Sequence, residues 1–284
     1  CKFINTKFAI GVGSGSSALY LALKAAGVAK DDEVIVSPMT WIITVNAISE
    51  CGAIPVFADI KEDYNIDPIS VKSRISNKTK AILPMHYAGK LCDMKEITKI
   101  AKENNLLIIE DAAQAFGSCQ DGVFAGKFSD AASFSFNPMK TLGGFGEAGI
   151  VVTDNENIYR RIKRLRHAGT NSDPRKLITN NCVEVSLNHK IDTINAGLLL
   201  VALDELPERM KKRQEIASKL DNNLPTQVKY QKTNDNEVHA RYVYPIITER
   251  RDELKTYLEI NNIETKCGNK RVIVWLCPFA KNIG

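Results

Sequence analysis

Lys140 stands in the run Phe134-Ser135-Phe136-Asn137-Pro138-Met139-Lys140-Thr141-Leu142-Gly143-Gly144, a lysine in a glycine-flanked loop. Upstream, the apolar run Leu106-Leu107-Ile108-Ile109-Glu110 delivers Asp111 at what reads as the C-terminal end of a strand, followed by Ala112-Ala113-Gln114. A lysine amine can close a Schiff base on an aldehyde, and a carboxylate can hold a protonated pyridine nitrogen. Together the two could serve pyridoxal 5'-phosphate. Each residue also has a plainer reading: Lys140 as a solvated charge, Asp111 as the cap of the segment 112–116. The second is the harder to accept, because a carboxylate at the end of a buried strand is costly without a partner. A pyridinium N–H would be one.

Three further places could complete such a site. Gly11-Val12-Gly13-Ser14-Gly15-Ser16-Ser17 joins an expected strand to an expected helix, where free backbone N–H groups and the helix dipole favour an anion such as a phosphate. A dinucleotide loop fits less well, since the spacing is Gly-x-Gly-x-Gly and the next strand, 33–36, ends without a ribose-binding acid. A tight strand-to-helix turn is the other alternative. Trp41, at the start of the next helix, could stack on a flat ring, or be a core or surface tryptophan. Ser135 and Asn137 alternate with Phe134 and Phe136, so their hydroxyl and amide could face one side and serve the phosphate.

The elements that must position these residues follow an α/β pattern. Apolar strands are expected at 8–12, 33–36, 54–59, 81–85, 106–110, 131–136 and 149–153, with helices at 16–27, 40–51 and 94–104 between them. Small polar residues open the first helix and Gly27 ends it. The sheet is expected to be mostly parallel. Helices dominate from Asn155, at 155–167, 191–203 and a charged 206–220 that links two domains. A strand at 241–246, a helix at 250–261 and a strand at 263–266 suggest a small C-terminal α/β domain.

Composition sets the class. With 284 residues, 44% of them hydrophobic, the chain can bury a large core. The balance of 38 Lys+Arg against 33 Asp+Glu leaves only +5. The densest basic run, Arg160-Arg161-Ile162-Lys163-Arg164-Leu165-Arg166, reads as a solvated helix face and not as a nucleic-acid surface. Seven scattered cysteines without a Cys-x-x-Cys pair read as reduced thiols of a cytoplasmic protein, and neither they nor the four histidines have metal-ligand spacing. No membrane-length apolar run is present, so no membrane partner is expected.

Six segments resemble, in this order, the motifs of the DegT family of nucleotide-sugar aminotransferases. They are Gly13-Ser14-Gly15-Ser16-Ser17-Ala18-Leu19, residues 38–46, Pro84-Met85-His86-Tyr87-Ala88-Gly89, Glu110-Asp111-Ala112-Ala113-Gln114, residues 134–140 and Gly146-Glu147-Ala148-Gly149. The resemblance implies the aspartate aminotransferase-like fold: a mostly parallel central sheet with helices on both faces, in a large pyridoxal-phosphate-binding domain, 1–205. A smaller C-terminal α/β domain, 206–284, is expected to be incomplete. It implies a homodimer with the cofactor at the subunit interface. It further implies transfer of an amino group, usually from glutamate, to a keto-sugar attached to a nucleotide. The family's dehydratase branch has histidine in place of the lysine, so Lys140 favours transamination.

By position, the resemblance makes Lys140 the Schiff-base lysine and Asp111 the partner of the pyridine nitrogen. Gln114 matches the glutamine near the cofactor's 3-hydroxyl, Trp41 the stacking position, and Gly15, Ser16 and Ser135 the phosphate cup, to which Ser17 could add a backbone donor. Asn188 and Lys190 match the segment that reaches the neighbouring subunit's cofactor, or are solvent-facing polar residues. The Asn137-Pro138-Met139-Lys140 and Gly146-Glu147-Ala148-Gly149 variants look like those of bacterial surface-glycan enzymes, including acetamido-sugar and nonulosonate routes. The similarity runs through 9–204 and more weakly through 263–266; beyond Lys266 the sequence departs from the family pattern. A first helix ahead of Cys1 and a final helix after Gly284 are missing from the pattern, so a fragment or a diverged gene is expected, with altered sugar contacts.

Overall fold

A computed structural model describes residues 1–171 and 181–267, together with the backbone of Ile273–Leu276. In chain order its first half comprises β1 (Phe8–Val12), α1 (Gly15–Ala26), β2 (Glu33–Val36), α2 (Ile42–Glu50), β3 (Ile54–Phe57), α3 (Pro68–Ser73), β4 (Thr79–Leu83), α4 (Met94–Glu103), β5 (Leu107–Asp111), β6 (Cys119–Gln120), β7 (Val123–Phe124), β8 (Ala131–Ser135) and β9 (Gly149–Thr153). Then come α5 (Glu156–Arg166), α6 (Thr193–Asp204), α7 (Leu206–Asn223), β10 (Lys229–Tyr230), β11 (Glu237–Val238), β12 (Tyr244–Ile247), α8 (Arg251–Ile260), β13 (Thr265–Cys267) and β14 (Ile273–Leu276).

The central sheet has the order β1-β9-β8-β5-β4-β2-β3. All pairs from β8 through β3 are parallel, and β9 alone runs against its neighbours. Successive residues of a strand serve opposite faces. Val34, Leu83 and Ile109 pack with α1, α2 and α5, whereas Ile35, Ile82 and Ile108 pack with Met94, Ile97 and Ile100 of α4. Helices therefore cover both faces, as expected for a parallel sheet whose strands are almost wholly apolar. Gly27 ends α1 at φ 96°, in the left-handed region that favours glycine.

The C-terminal part is an antiparallel sheet of order β10-β12-β14-β13, with α8 against it. Two strands expected here start later than the apolar pattern suggests. Arg241, at φ 49°, breaks the extended run before Tyr244, and its guanidinium is drawn to Gln231 O and Thr233 Oγ1. The Ile263 N–H caps α8 on Leu258 O, so extended structure begins only at Thr265. The two-residue strands β6, β7, β10 and β11 and the short α3 are below the length at which periodicity can be read. Within the departing segment after Lys266, β14 pairs with β12 and β13; residues 268–272 and 277–284 lie outside the described residues.

The basic run of α5 is partly used inside the chain: Arg161 and Arg164 both bind Glu184, at 3.1 and 3.0 Å, and Arg160 pairs with Glu156. Behind the end of β5 lies a fully buried pair. Glu110 accepts the Gly126 N–H, the Phe128 N–H and the Ser129 hydroxyl, and meets His86 Nε2 at 2.8 Å. His86 Nδ1 in turn accepts the Cys92 N–H, which places the ring proton on Nε2. His86→Ala leaves Glu110 buried with an unfilled lone pair, and a loss of about 3 kcal/mol is expected in urea unfolding. The double variant with Glu110→Gln should recover part of it; a loss below about 1 kcal/mol would remove the pair from the account of how β5 is held.

Candidate active site

The C-terminal ends of β5 and β8 meet the N-terminal end of α1, the edge at which parallel α/β sheets hold ligands. Asp111 closes β5 and is 5% exposed. Its Oδ2 accepts the Thr44 hydroxyl at 2.7 Å, and its Oδ1 the Ala113 N–H at 3.2 Å. The Thr44 hydroxyl lies 2.6 Å from the Thr40 hydroxyl, so the hydroxyl that the first turn of α2 brings to the carboxylate is itself paired from the residue ahead of the helix cap. The Ala113 contact is the cap considered from sequence, but 112–116 forms turns and no helix, so capping accounts for one oxygen only. Among the described residues no ion pair closes on Asp111. A buried carboxylate with lone pairs left over and no ion pair among the described residues suits a positively charged donor.

Lys140 follows β8 on a turn closed by its own N–H on Asn137 O at 2.8 Å. Its side chain is half-buried, and Nζ lies 4.4 Å from the centroid of the Tyr242 ring. Burial pushes the amine below its ordinary 10.5, while the charges of Asp111 and Glu147 pull the other way. A larger neutral fraction makes a better nucleophile and proton acceptor. Asn137 donates to Glu147 Oε1 at 2.5 Å and accepts the Met139 N–H, so its amide shapes the lysine loop instead of serving a phosphate.

At the head of α1, Ser14 is the N-cap, and its Oγ accepts the Ser17 N–H at 3.0 Å. That bond corrects the reading of Ser17 as a further backbone donor: its N–H is taken, and its hydroxyl meets His189 Nδ1 at 3.0 Å. The N–H groups of Gly15 and Ser16 have no acceptor within the helix. Ser135 lies directly against them, since a Cβ on Gly15 would stand 2.6 Å from Ser135 Cβ and 2.9 Å from its Oγ. Two amides and a hydroxyl at a helix N-terminus suit a phosphate. Gly15→Ala must displace Ser135 or the helix start, and a fall of about tenfold in pyridoxal-phosphate affinity is expected by fluorescence titration. Unchanged affinity would take Gly15 out of the site.

Gln114 Oε1 accepts the Ala88 N–H at 2.7 Å, which leaves its Nε2 as the end able to donate to a phenolic oxygen. Trp41 is the N-cap residue of α2 and 71% exposed, so it is not a core tryptophan. It precedes Thr44 by one helical turn, close to the face that meets Asp111. Lys190 sits beside the glycine loop through its backbone, bridged to Val12 with the neighbouring His189 O on the Gly13 N–H, whereas Asn188 is bridged to His167. Both side chains are exposed, and their hydrogen bonds do not reach Asp111, Gln114, Ser135 or Lys140. The carboxylate, the lysine, two amides at a helix N-terminus, a serine hydroxyl and a glutamine amide make up a donor set that fits pyridoxal phosphate.

Sequence reasoning missed Thr44, Tyr242 and Asn195. Asn195 accepts the Phe145 N–H and donates to Glu147 O, holding the glycine-rich loop after Lys140. Thr44 could have been found from its helical spacing to Trp41; nothing near Tyr242 signals a contact about a hundred residues back along the chain. A cleft of about 730 Å³, lined by Lys61, Lys90, Asp221, Lys229, Tyr230 and Glu237, lies apart from all of these residues.

Comparison with known proteins agrees with this geometry. The chain is 34% identical over 268 residues to a pleiotropic regulatory protein of Geobacillus stearothermophilus, covering 93% of this chain and 70% of that one. It is 35% identical over 266 residues to the GDP-perosamine synthase of Escherichia coli O157:H7, covering 92% and 72%. The crystal structure of Streptomyces venezuelae DesV in complex with a ketimine intermediate superposes with a TM-score of 0.88 at 31% identity, covering 97% of this chain and 80% of that one. A family model matches residues 1–277, past Lys266, where the sequence motifs were expected to give way. With that match, and with relatives above 30% identity over most of their length, the chain belongs to the DegT/DnrJ/EryC1/StrS aminotransferase family.

Proposed function

We propose that this chain transfers an amino group from glutamate to the keto group of a nucleotide-linked sugar, in amino-sugar synthesis of the bacterial surface-glycan type. The observation that carries the reading is the buried Asp111 carboxylate whose charge acts on the half-buried Lys140 amine, together with Ser135 packed against the free amides at the head of α1. The family is pyridoxal-phosphate-dependent. Bound here, the cofactor supplies an aldehyde carbon and a ring able to take up electron density from a neighbouring C–H bond. Asp111 holds the positive charge of the ring nitrogen. Gly15, Ser16 and Ser135 hold the phosphate, Gln114 donates to the 3-oxygen, and Trp41 covers a ring face. Lys140 Nζ takes the proton from the α-carbon of the amino donor.

A second copy of this chain completes the site in this reading. Ile194, Leu200 and Val201 of α6 and the adjoining Phe145 are each at least 65% exposed, an apolar surface that calls for a partner. Asn188 and Lys190, exposed on the neighbouring segment, would reach the partner's cofactor. The chain divides into a cofactor-binding part, 1–205, and a smaller part, 206–284, stitched together by β11 on β6. Cytoplasmic placement accords with the free thiols among the described cysteines. Among the described residues no helix is long and apolar enough to cross a membrane.

Incubation with pyridoxal phosphate, glutamate and a panel of keto-sugar nucleotides tests the proposal: the mass of one sugar should change by conversion of C=O to CH–NH₂. The regulatory name of the Geobacillus relative favours a second reading, a homologue that binds cofactor or sugar nucleotide without turnover. Binding of the sugar nucleotide with no amine transferred would favour it. Turnover of an amino acid without a sugar acceptor would instead indicate another pyridoxal enzyme, such as a lyase.

A further inference from the structure

Tyr242 is not among the residues that the family resemblance marks, yet its ring lies 4.4 Å, centroid to Nζ, from Lys140. That is well within the range at which an ammonium is attracted by an aromatic face. The contact is supported from both sides. The Tyr242 N–H donates to Ala88 O at 3.0 Å, and the Ala88 N–H is held by Gln114 Oε1 at 2.7 Å. Ala88 and Arg241 both adopt the left-handed region, at φ 58° and 49°, so the two turns that meet here are specified against their local preference. Arg241 is fixed by Gln231, Thr233 and its N–H on His239 Nδ1, and His239 is fully buried. Two residues after Tyr242, the chain enters β12 of the small sheet.

We propose that Tyr242 is a positioning residue for the free amine of Lys140: its ring face holds the ammonium in the half of the cycle when the lysine is not bound to the cofactor. The proposal rests on the reading of Lys140 as the cofactor lysine. The ring stabilises the protonated form and so opposes the desolvation that burial imposes on the same amine. It also ties the resting place of Nζ to the C-terminal sheet, because Tyr242 moves with the segment that leads into β12.

The test is the pH profile of Lys140 labelling by trinitrobenzenesulfonate, read by peptide mass spectrometry, on the 284-residue chain with and without pyridoxamine phosphate. In Tyr242→Leu the apparent pKa of Lys140 should fall by about half a unit to one and a half units. Tyr242→Phe keeps the face and should match the parent within a few tenths. Placing ring fluorines on Tyr242→Phe keeps the shape while weakening the quadrupole, and the apparent pKa should then fall stepwise; this series decides the matter if Tyr242→Leu does not fold. A parental profile in the leucine or fluorinated variants overturns the proposal, as does a fall in Tyr242→Phe equal to that of the leucine variant. Failure of the cofactor reading shows separately, as no absorbance band of lysine-bound pyridoxal in the parent chain.

Discussion

Lys140→Ala should lower sugar amination by at least about a thousandfold while leaving the protein folded. The side chain is half-buried, and the backbone turn that carries it is closed by Asn137 O and shaped by Asn137, Glu147 and Asn195, none of which needs the amine. What disappears is an amine that burial keeps below its ordinary pKa, and with it the group that can both bond to an aldehyde and accept a proton. Lys140→Arg separates the two roles that a lysine combines. It restores positive charge beside Asp111, but a guanidinium does not deprotonate in proteins, so it can neither form the bond nor carry the proton. Both variants should lose the absorbance band of lysine-bound pyridoxal and the borohydride-trapped peptide containing residue 140. Parental turnover in Lys140→Arg would show that the lysine acts only through its charge and would sink the assignment.

Legibility from sequence followed length and periodicity. The strands at Phe8–Val12 and Gly149–Thr153 match their expected bounds, because unbroken apolar runs flanked by glycine or polar residues admit few alternatives. Asp111 was legible because it interrupts such a run at its end, where a charge needs a reason. Gly15 was legible as part of a loop; why it must be glycine was not, since Ser135 approaches it from a strand over a hundred residues later. The same limit hid Tyr242, Asn195 and the stitching of Glu237–Val238 to Cys119–Gln120. Ser17 shows a local limit: a serine three residues after another at a helix start can lose its amide to the cap, and only geometry decides which of them remains a free donor.

Asp111→Asn should cost about 4 kcal/mol in the transition state, on the order of a thousandfold in turnover, with a much smaller effect on stability. The carboxylate accepts from both ends inside the protein, Thr44 Oγ1 on Oδ2 and the Ala113 N–H on Oδ1. An amide has only one acceptor end, so the new side chain would have to turn its NH₂ either toward the Ala113 N–H or toward Thr44. The threonine hydroxyl can rotate and accept instead, because Thr40 lies at 2.6 Å to take part in a reversed pair; the backbone N–H cannot. The amide should therefore keep its oxygen on Ala113 and present NH₂ on the Thr44 side. An N–H donor cannot accept from a protonated ring nitrogen, and a neutral amide cannot balance its charge, so the electron-withdrawing form of the cofactor is no longer favoured. Thr44→Val isolates the supporting role: with the carboxylate intact but one donor lost, turnover should fall by no more than about tenfold. Stopped-flow absorbance of the glutamate half-reaction measures both. Equal losses in Asp111→Asn and Thr44→Val would place the effect in the hydroxyl pair, and an unimpaired half-reaction in Asp111→Asn would remove Asp111 from catalysis.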